Sequence, residues 1–314
     1  MTGRGSGRRL AAAPISWGVC EVPGWGAVLP PGRVLAGMRA QGLTATELGP
    51  PGWLPEDPEV LRNVLSEAGM HLIAGFLAVP LHGPPEQVTE VATRTARALA
   101  GAGAEVLVLA AATGVDGYDT APVLDERGWA ALVAGAEAVA ELAAEEGLDT
   151  VLHPHVGTLV QSPAQIDRFL ADSLVGLCLD TGHVLVGGGD PVDIARRHAA
   201  RIRHVHLKDV DAAVAHRVAT GAVSYADAVA TGLYRPLGAG DVDVAAVLTV
   251  LDAVGYDGWF VLEQDTRLAS ADAASARAAE DDVRACLRTL SQLHVPSAPA
   301  DTAHTLTYPA KEPR

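Results

Sequence analysis

Cysteine is scarce: Cys20, Cys178 and Cys286 are all that 314 residues contain. Their number is odd and no two form a CxxC pair, so neither a disulfide framework nor a thiolate zinc site is indicated. A reducing, cytoplasmic setting is the expectation. Aromatic residues are also few, 4% of the chain against 49% hydrophobic residues. With Ala dominating the apolar set, closely packed helices over a β core fit better than an aromatic-rich all-β fold. Positive charge is in deficit, 23 Lys plus Arg against 38 Asp plus Glu, a formal net of −15. That surface would repel a phosphate backbone, which excludes nucleic acid as an expected partner. No apolar run approaches the roughly 20 residues of a membrane helix, so a membrane is not expected either.

What is present is alternation. Short apolar runs, Ala12 to Trp17, Ala45 to Leu48, Leu72 to Val79, Val106 to Ala111, Thr150 to His153, Val175 to Leu179, Ile202 to Leu207 and Trp259 to Leu262, read as strands. Helical segments lie between them, and a last one spans Ala271 to Leu293. Strand-then-helix units repeated eight times, with no break in composition, predict a single-domain α/β protein, a closed (β/α)8 TIM barrel over residues 12–294. The Arg-bearing start, residues 1–11, is expected to be a disordered leader, and the Pro/Ala/Thr-rich residues 295–314 a flexible tail. The seventh crossover is the irregular one, with a helix expected from about Ser224 to Thr231 followed by a glycine-bearing loop.

In such barrels the strand C-termini form the active face, so polar residues just past an apolar strand take the chemical reading first. "TVLHPHVGTL" sets His153 and His155 two positions apart, which places them on one face if the strand continues. "GLCLDTGH" offers Asp180 and then His183, "RHVHLKD" offers His204, His206 and Lys208 on one face, and "GWFVLEQD" ends in Glu263. A single strand-end histidine is ordinarily a hydrogen-bonded packing residue. Four consecutive strands ending this way would be costly in an apolar mouth unless their polar groups were paired or ligated. One divalent cation would satisfy His153, Asp180, His206 and Glu263 together. Two imidazoles with two carboxylates suit Mn²⁺, Co²⁺, Fe²⁺ or Zn²⁺ better than Mg²⁺ or Ca²⁺.

"HPHVGT", "LDTGH", "HVHLKD" and "VLEQD", together with "APISWGVCEVPGWG", "TELGPPGWLP" and "YRPLGAGDVD", resemble the xylose-isomerase-like TIM barrels, and within them the inosose dehydratase group. The resemblance covers about Ala12 to Leu293. It implies metal ligands from the fifth to eighth strands, falling on His153, Asp180, His206 and Glu263, with Mn²⁺ or Co²⁺ favoured over Zn²⁺ or Fe²⁺. His153 departs from the glutamate that the wider superfamily carries there. That glutamate is one of a proton-shuttling pair in the epimerases and isomerases, so a one-base reaction fits better. The implied chemistry is loss of water from a cyclic polyhydroxy ketone through an enolate that the metal stabilises. His183 or Glu263 is the expected base and His155 or Lys208 the expected acid. A homo-oligomer is also implied.

For substrate contacts the candidates are Glu47 toward a hydroxyl, Trp17 and Trp53 as walls against a ring face, His155 and His183, and Arg235 closing from its loop. Glu47 has an alternative as a loop-capping carboxylate, and Trp17 as ordinary core. Cys20 lacks an activating neighbour in sequence and is expected to be inert. "VGGGDP" is better explained by an Asp190 N-cap followed by Pro191, and "GAGDVD" lacks the third glycine of a dinucleotide fingerprint, so an unphosphorylated substrate is expected. Two further functions compete: a keto-sugar isomerase or epimerase, and a non-catalytic sugar-binding barrel with a structural metal. An abasic-site endonuclease of the same superfamily needs a basic groove, which the net charge opposes.

Overall fold

The computed structural model describes residues 8–293 apart from Glu21, Pro23, Asp116 and Thr120. The expected tail, and the start of the expected leader up to residue 7, lie outside the described residues. The strands are β1 (Arg9–Ala12), β2 (Ala45–Glu47), β3 (His71–Val79), β4 (Val106–Ala111), β5 (Asp149–Leu152), β6 (Gly176–Asp180), β7 (Ile202–Leu207), β8 (Asp209–Val210), β9 (Tyr234–Arg235) and β10 (Trp259–Leu262). Eight of them close a parallel barrel in the order β1-β10-β7-β6-β5-β4-β3-β2, while β8 and β9 form a separate antiparallel pair. A wholly parallel barrel covered by helices buries both faces of its strands. β4 accordingly reads VLVLAA with every residue buried. Val106, Val108, Val151, Cys178 and Val261 fill the barrel, while Leu107, Leu109, Leu152, Leu177 and Leu179 pack outward under the helices.

The helices are α1 (Pro31–Ala40), α2 (Pro58–Glu67), α3 (Pro85–Ala102), α4 (Glu126–Glu145), α5 (Pro163–Asp172), α6 (Thr181–Val186), α7 (Pro191–His198), α8 (Ala212–Ala219), α9 (Tyr225–Ala230), α10 (Val244–Ala253) and α11 (Ala273–Gln292). Their starts are written in the sequence. Asp57, Asp125, Asp190, Asp211, Asp243 and Asp272 each accept backbone N–H groups as N-caps, and Ser162 with Gln165 makes a capping box. Proline opens α1, α2, α3, α5 and α7, where its missing N–H is not needed.

The first strand corrects the sequence expectation. β1 runs from Arg9 to Ala12, pairing with Trp259 to Leu262, and Pro14–Trp17 forms a 3-10 turn instead of continuing the strand. Pro14 has no N–H to donate to a ladder, so the strand cannot extend through it. Arg9 to Ala11, expected in the leader, are therefore barrel residues. The seventh crossover is more regular than expected. Asp211 caps α8 through the amides of Ala213 and Val214, and Ser224 caps α9, so "DAAVAHRVA" is a short helix and not loop.

Candidate active site

Backbone pairing sets the four strand ends side by side. His153 lies one residue past β5 but still donates its N–H to the Leu109 carbonyl (2.7 Å), which extends the ladder. Asp180, the last residue of β6, sits in register with His206 of β7. Glu263 follows β10, its N–H on the Leu207 carbonyl at 3.3 Å. His153 Nε2 stands 3.1 Å from Asp180 Oδ2 and 3.2 Å from His206 Nδ1, which is 3.6 Å from Asp180 Oδ2 and in contact with Glu263 Oε2. All four donor atoms lie within 4.8 Å of one another, and His153, Asp180 and His206 are buried. Asp180 does two jobs: its Oδ1 accepts the His183 N–H (2.8 Å) and caps α6, which leaves Oδ2 facing the cluster.

The cluster has the character of a cation site. His206 Nε2 hydrogen-bonds Glu47 Oε1 (3.0 Å), a carboxylate that can only accept, so Nε2 carries hydrogen and a neutral ring turns its Nδ1 lone pair toward His153 and the carboxylates. Glu263 Oε2 is buried without a hydrogen bond. Ligand atoms about 2.0–2.2 Å from one ion stand roughly 3–3.6 Å apart, which matches the three separations above. Burial opposes charge on His206, but Cys178, Glu263 and Glu47 hold its pKa well above the ordinary imidazole value. A proton is therefore retained where a cation would replace it. Glu47 also receives His204 Nε2 at 2.8 Å. Burial would raise its pKa, yet His206 and His204 hold it below the ordinary carboxylate range. Glu47 is thus the carboxylate that orients the His206 imidazole, and it lines the cavity as well.

Beside the cluster lies a second group of polar residues. Lys208 Nζ, 2.9 Å from Asp265 Oδ1, 3.1 Å from Asp180 Oδ2 and 2.9 Å from His183 Nε2, is fully enclosed. Burial opposes its charge, but Asp180, Asp265 and Glu263 keep its pKa well above the ordinary lysine value. The ammonium donates to His183 Nε2, and Tyr234 Oη lies 3.4 Å from His183 Nδ1, so both nitrogens of His183 are engaged by the protein. Gly182 permits this approach, since a Cβ there would stand 2.6 Å from Lys208 Cβ. Asp265 Oδ2 accepts from Tyr225 Oη (2.8 Å), which also meets Tyr234 Oη at 2.9 Å.

His155 is placed differently. Its Nδ1 is 2.6 Å from the Val156 carbonyl, which can only accept, so Nδ1 holds the hydrogen and Nε2 carries the lone pair. The ring is half-buried, lies 3.8 Å from His183 centroid to centroid at a tilt of 39°, and lines the cavity. Burial, then His153 and Lys208, lower its pKa to about 3, so the ring is neutral. Its Nε2 is left as an acceptor on the cavity wall. Gly157, at φ 80°, folds its loop so closely against Tyr118 that a Cβ would fall 2.5 Å from the Tyr118 Cα.

The cavity over these groups measures about 780 Å³. Glu47, His153, His155, His206, Glu263 and Asp265 form its polar wall, and Ile15, Val19, Trp25, Leu48 and Phe76 its apolar one. Four expected contacts are not part of it, one of them His183, enclosed between Lys208 and Tyr234. Trp17 is fully buried beside Gly37 of α1 and serves as core. Trp53 donates Nε1 to the Leu29 carbonyl (2.9 Å) and, half-buried itself, packs against the core. Arg235 is exposed and bound to Asp211 at 3.2 Å, because its alternation in β9 sends Tyr234 inward instead. Sequence reasoning had no role for Asp265, Tyr118, Tyr225, Tyr234, Trp25 or Phe76. Only Asp265 had a signal, standing two residues past Glu263.

The sequence model of the xylose isomerase-like TIM barrel matches residues 35–290. The chain belongs to that family. Among xylose isomerase-like barrels it is 34% identical over 275 residues to an inosose dehydratase of Geobacillus thermodenitrificans (strain NG80-2), covering 83% of this chain and 92% of that one. It is also 34% identical over 267 residues to the rhizopine catabolism protein MocC of Rhizobium meliloti, covering 82% and 81%. The probable 3-DHS dehydratase AsbF of Bacillus anthracis shares the fold at a TM-score of 0.65, with 16% identity over 90% of this chain and 98% of that chain. The family resemblance and the closed barrel read from the sequence both hold. Among the described residues no helix is long and apolar enough to cross a membrane.

Proposed function

We propose that the protein is a hydro-lyase that removes water from a cyclic polyhydroxy ketone of the inosose type. The observation that carries this is the convergence of His153 Nε2, Asp180 Oδ2, His206 Nδ1 and Glu263 Oε2 beside the cavity-lining imidazole of His155. Its similarity over most of the chain to inosose dehydratases supports the same reading. Those four residues would hold a divalent cation, for which the mixed imidazole and carboxylate set suits Mn²⁺, Co²⁺, Fe²⁺ or Zn²⁺, and the ion would supply Lewis-acid stabilisation of charge developing on the ketone oxygen.

The chain's own groups supply the proton transfers. His155 Nε2 takes the proton α to the ketone, breaking the C–H bond. The electron pair forms the C=C bond as the β-hydroxyl departs, and that hydroxyl leaves as water on receiving a proton. The Lys208–Asp265 pair, joined at 2.9 Å, is the source of that proton, and Tyr225 holds Asp265 in place. This revises the roles expected from sequence: His155 is the base, and His183 is committed to Lys208 and Tyr234. Glu263 is a ligand, and Lys208 acts through Asp265.

The test is turnover of inosose in D₂O, with metal content measured on wild type and His153→Ala. Wild type should form an unsaturated product absorbing in the near ultraviolet. The variant should lose most of its bound metal and at least about 10³-fold in kcat. Deuterium wash-in without loss of water would point to an isomerase, and unchanged metal and turnover in the variant would remove the proposal.

A further inference from the structure

The cavity does not stop at the barrel mouth. β2 pairs with β3 only as far as Glu47 and Ala74, whereas β3 continues to Val79 along β4. The Ala74 carbonyl accepts the Leu48 N–H across the seam. Peptide groups on a parallel strand alternate sides, so those of Phe76 and Ala78 face the same side, where β2 has already ended. The result is a fissure through the barrel wall. Phe76 opens on the mouth and Leu77 on the layer under the helices, and the one cavity touches both. Beyond the seam it runs between the loop after β2 and the helices α2 and α3, past Leu48, Leu61, Val91, Ala98 and Leu99, and reaches solvent beside Arg94.

Size separates this fissure from the reacting ring. Cavities of roughly 300–1,000 Å³ hold drug-sized molecules. A keto-cyclitol of about a dozen heavy atoms therefore occupies a fraction of 780 Å³. The polar wall that would bind its hydroxyls, from β5 to β10, is separated from the fissure at β2 and β3 by one strand on each side, β4 and β1, so a ring held on that wall can direct a substituent into the fissure. The fissure is apolar along its sides and carries unpaired peptide groups at its entrance. It is open at its outer end.

Building on the function proposed above, we infer that the preferred substrate is a substituted ring ketone, carrying an apolar O-linked substituent that lies in the β2–β3 fissure. The ether oxygen sits at the seam, within reach of the Phe76 and Ala78 peptide groups, and the carbon chain passes Leu77 toward Ala98 and Arg94.

Binding separates this inference from the proposed reaction. Calorimetric dissociation constants are compared on the metal-loaded protein for inositol and for the panel of its mono-O-butyl regioisomers, none of which can be dehydrated by enolisation. At least one ether should bind on the order of ten-fold tighter than inositol. Ala98→Trp, or Val91→Trp if the first variant is misfolded by circular dichroism, should abolish that advantage while leaving inositol binding and inosose turnover unchanged. Equal or weaker binding of every regioisomer, or an advantage that survives the plugged fissure, overturns the inference. Tight ether binding by a protein that fails to turn over inosose would instead sink the reaction proposed above and leave this inference standing.

Discussion

The mouth of the barrel has two unlike halves. From β5 round to β10 each strand ends in an imidazole or carboxylate that contacts its neighbours, and the buried charges of Asp180, Lys208 and Glu47 are all paired. From β1 to β3 the corresponding surface is Ile15, Val19, Leu48 and Phe76, with Glu47 the one carboxylate crossing over to the other side. The difference teaches how chemistry and recognition are divided. Charges in low dielectric must be held by several partners, so the polar half is intolerant of change. An apolar wall needs only shape, so the other half is free to set which ring face and which substituent fit.

If that division is right, the largest effect short of removing a metal ligand belongs to His155→Gln, on the polar half. The amide retains hydrogen-bonding capacity but has no basic ring nitrogen to take the substrate proton. kcat should fall by about 10²–10⁴ with metal content unchanged. Pre-steady-state kinetics should show that the C–H step is the one slowed, through a primary isotope effect with α-deuterated inosose. Loss of metal in this variant would place His155 among the ligands and blur the partition within the polar half.

Glu47→Gln tests the crossing residue. Glu47 meets His206 Nε2 at 3.0 Å and His204 Nε2 at 2.8 Å, so the amide weakens the acceptor that fixes the His206 tautomer. Metal affinity should fall by about 10–100-fold, measured by competition with a chelator. Excess metal should restore most of kcat, and Glu47→Asp should retain part of the affinity. An altered KM for substrate at saturating metal, with affinity for the ion intact, would instead make Glu47 the hydroxyl contact that the sequence suggested.

The polar half was legible in the sequence because it breaks a pattern. "TVLH", "GLCLD", "RHVH" and "FVLE" are strand stretches that end in an imidazole or carboxylate, and a barrel brings strand ends together whatever the helices between them do. The apolar half was not legible, because nothing in "HLIAGFLAV" separates Phe76, 39% exposed in the mouth, from buried Leu72 and Leu77. Trp17 and Trp25 illustrate the same limit. Both follow the first strand, and only the 3-10 turn at Pro14–Trp17 decides that the former enters the core and the latter lines the cavity. Tyr225 and Tyr234 were hidden for another reason. They come from the crossover after β7, whose fold depends on Asp211 and Ser224 caps and on a bond from the Tyr225 N–H to Asp119 in a distant loop.

Phe76→Ala gives the smallest effect and the sharpest view of the apolar half. The ring packs edge-on to His153 at 5.7 Å between centroids but is 39% exposed, so its removal leaves no sealed core void. Stability should therefore change by about 1 kcal/mol or less, well below the 3–5 kcal/mol of a fully buried Phe→Ala. The ring offers a face to the C–H side of a substrate, and its loss should raise KM by roughly three- to ten-fold with kcat nearly unchanged. Metal affinity should not move, since the edge contact to His153 supplies packing and no hydrogen bond. A parallel fall in kcat and metal content would mean that the ring fixes the His153 orientation. The two halves of the mouth would then form one device in which the apolar wall braces the ligands that the polar wall presents.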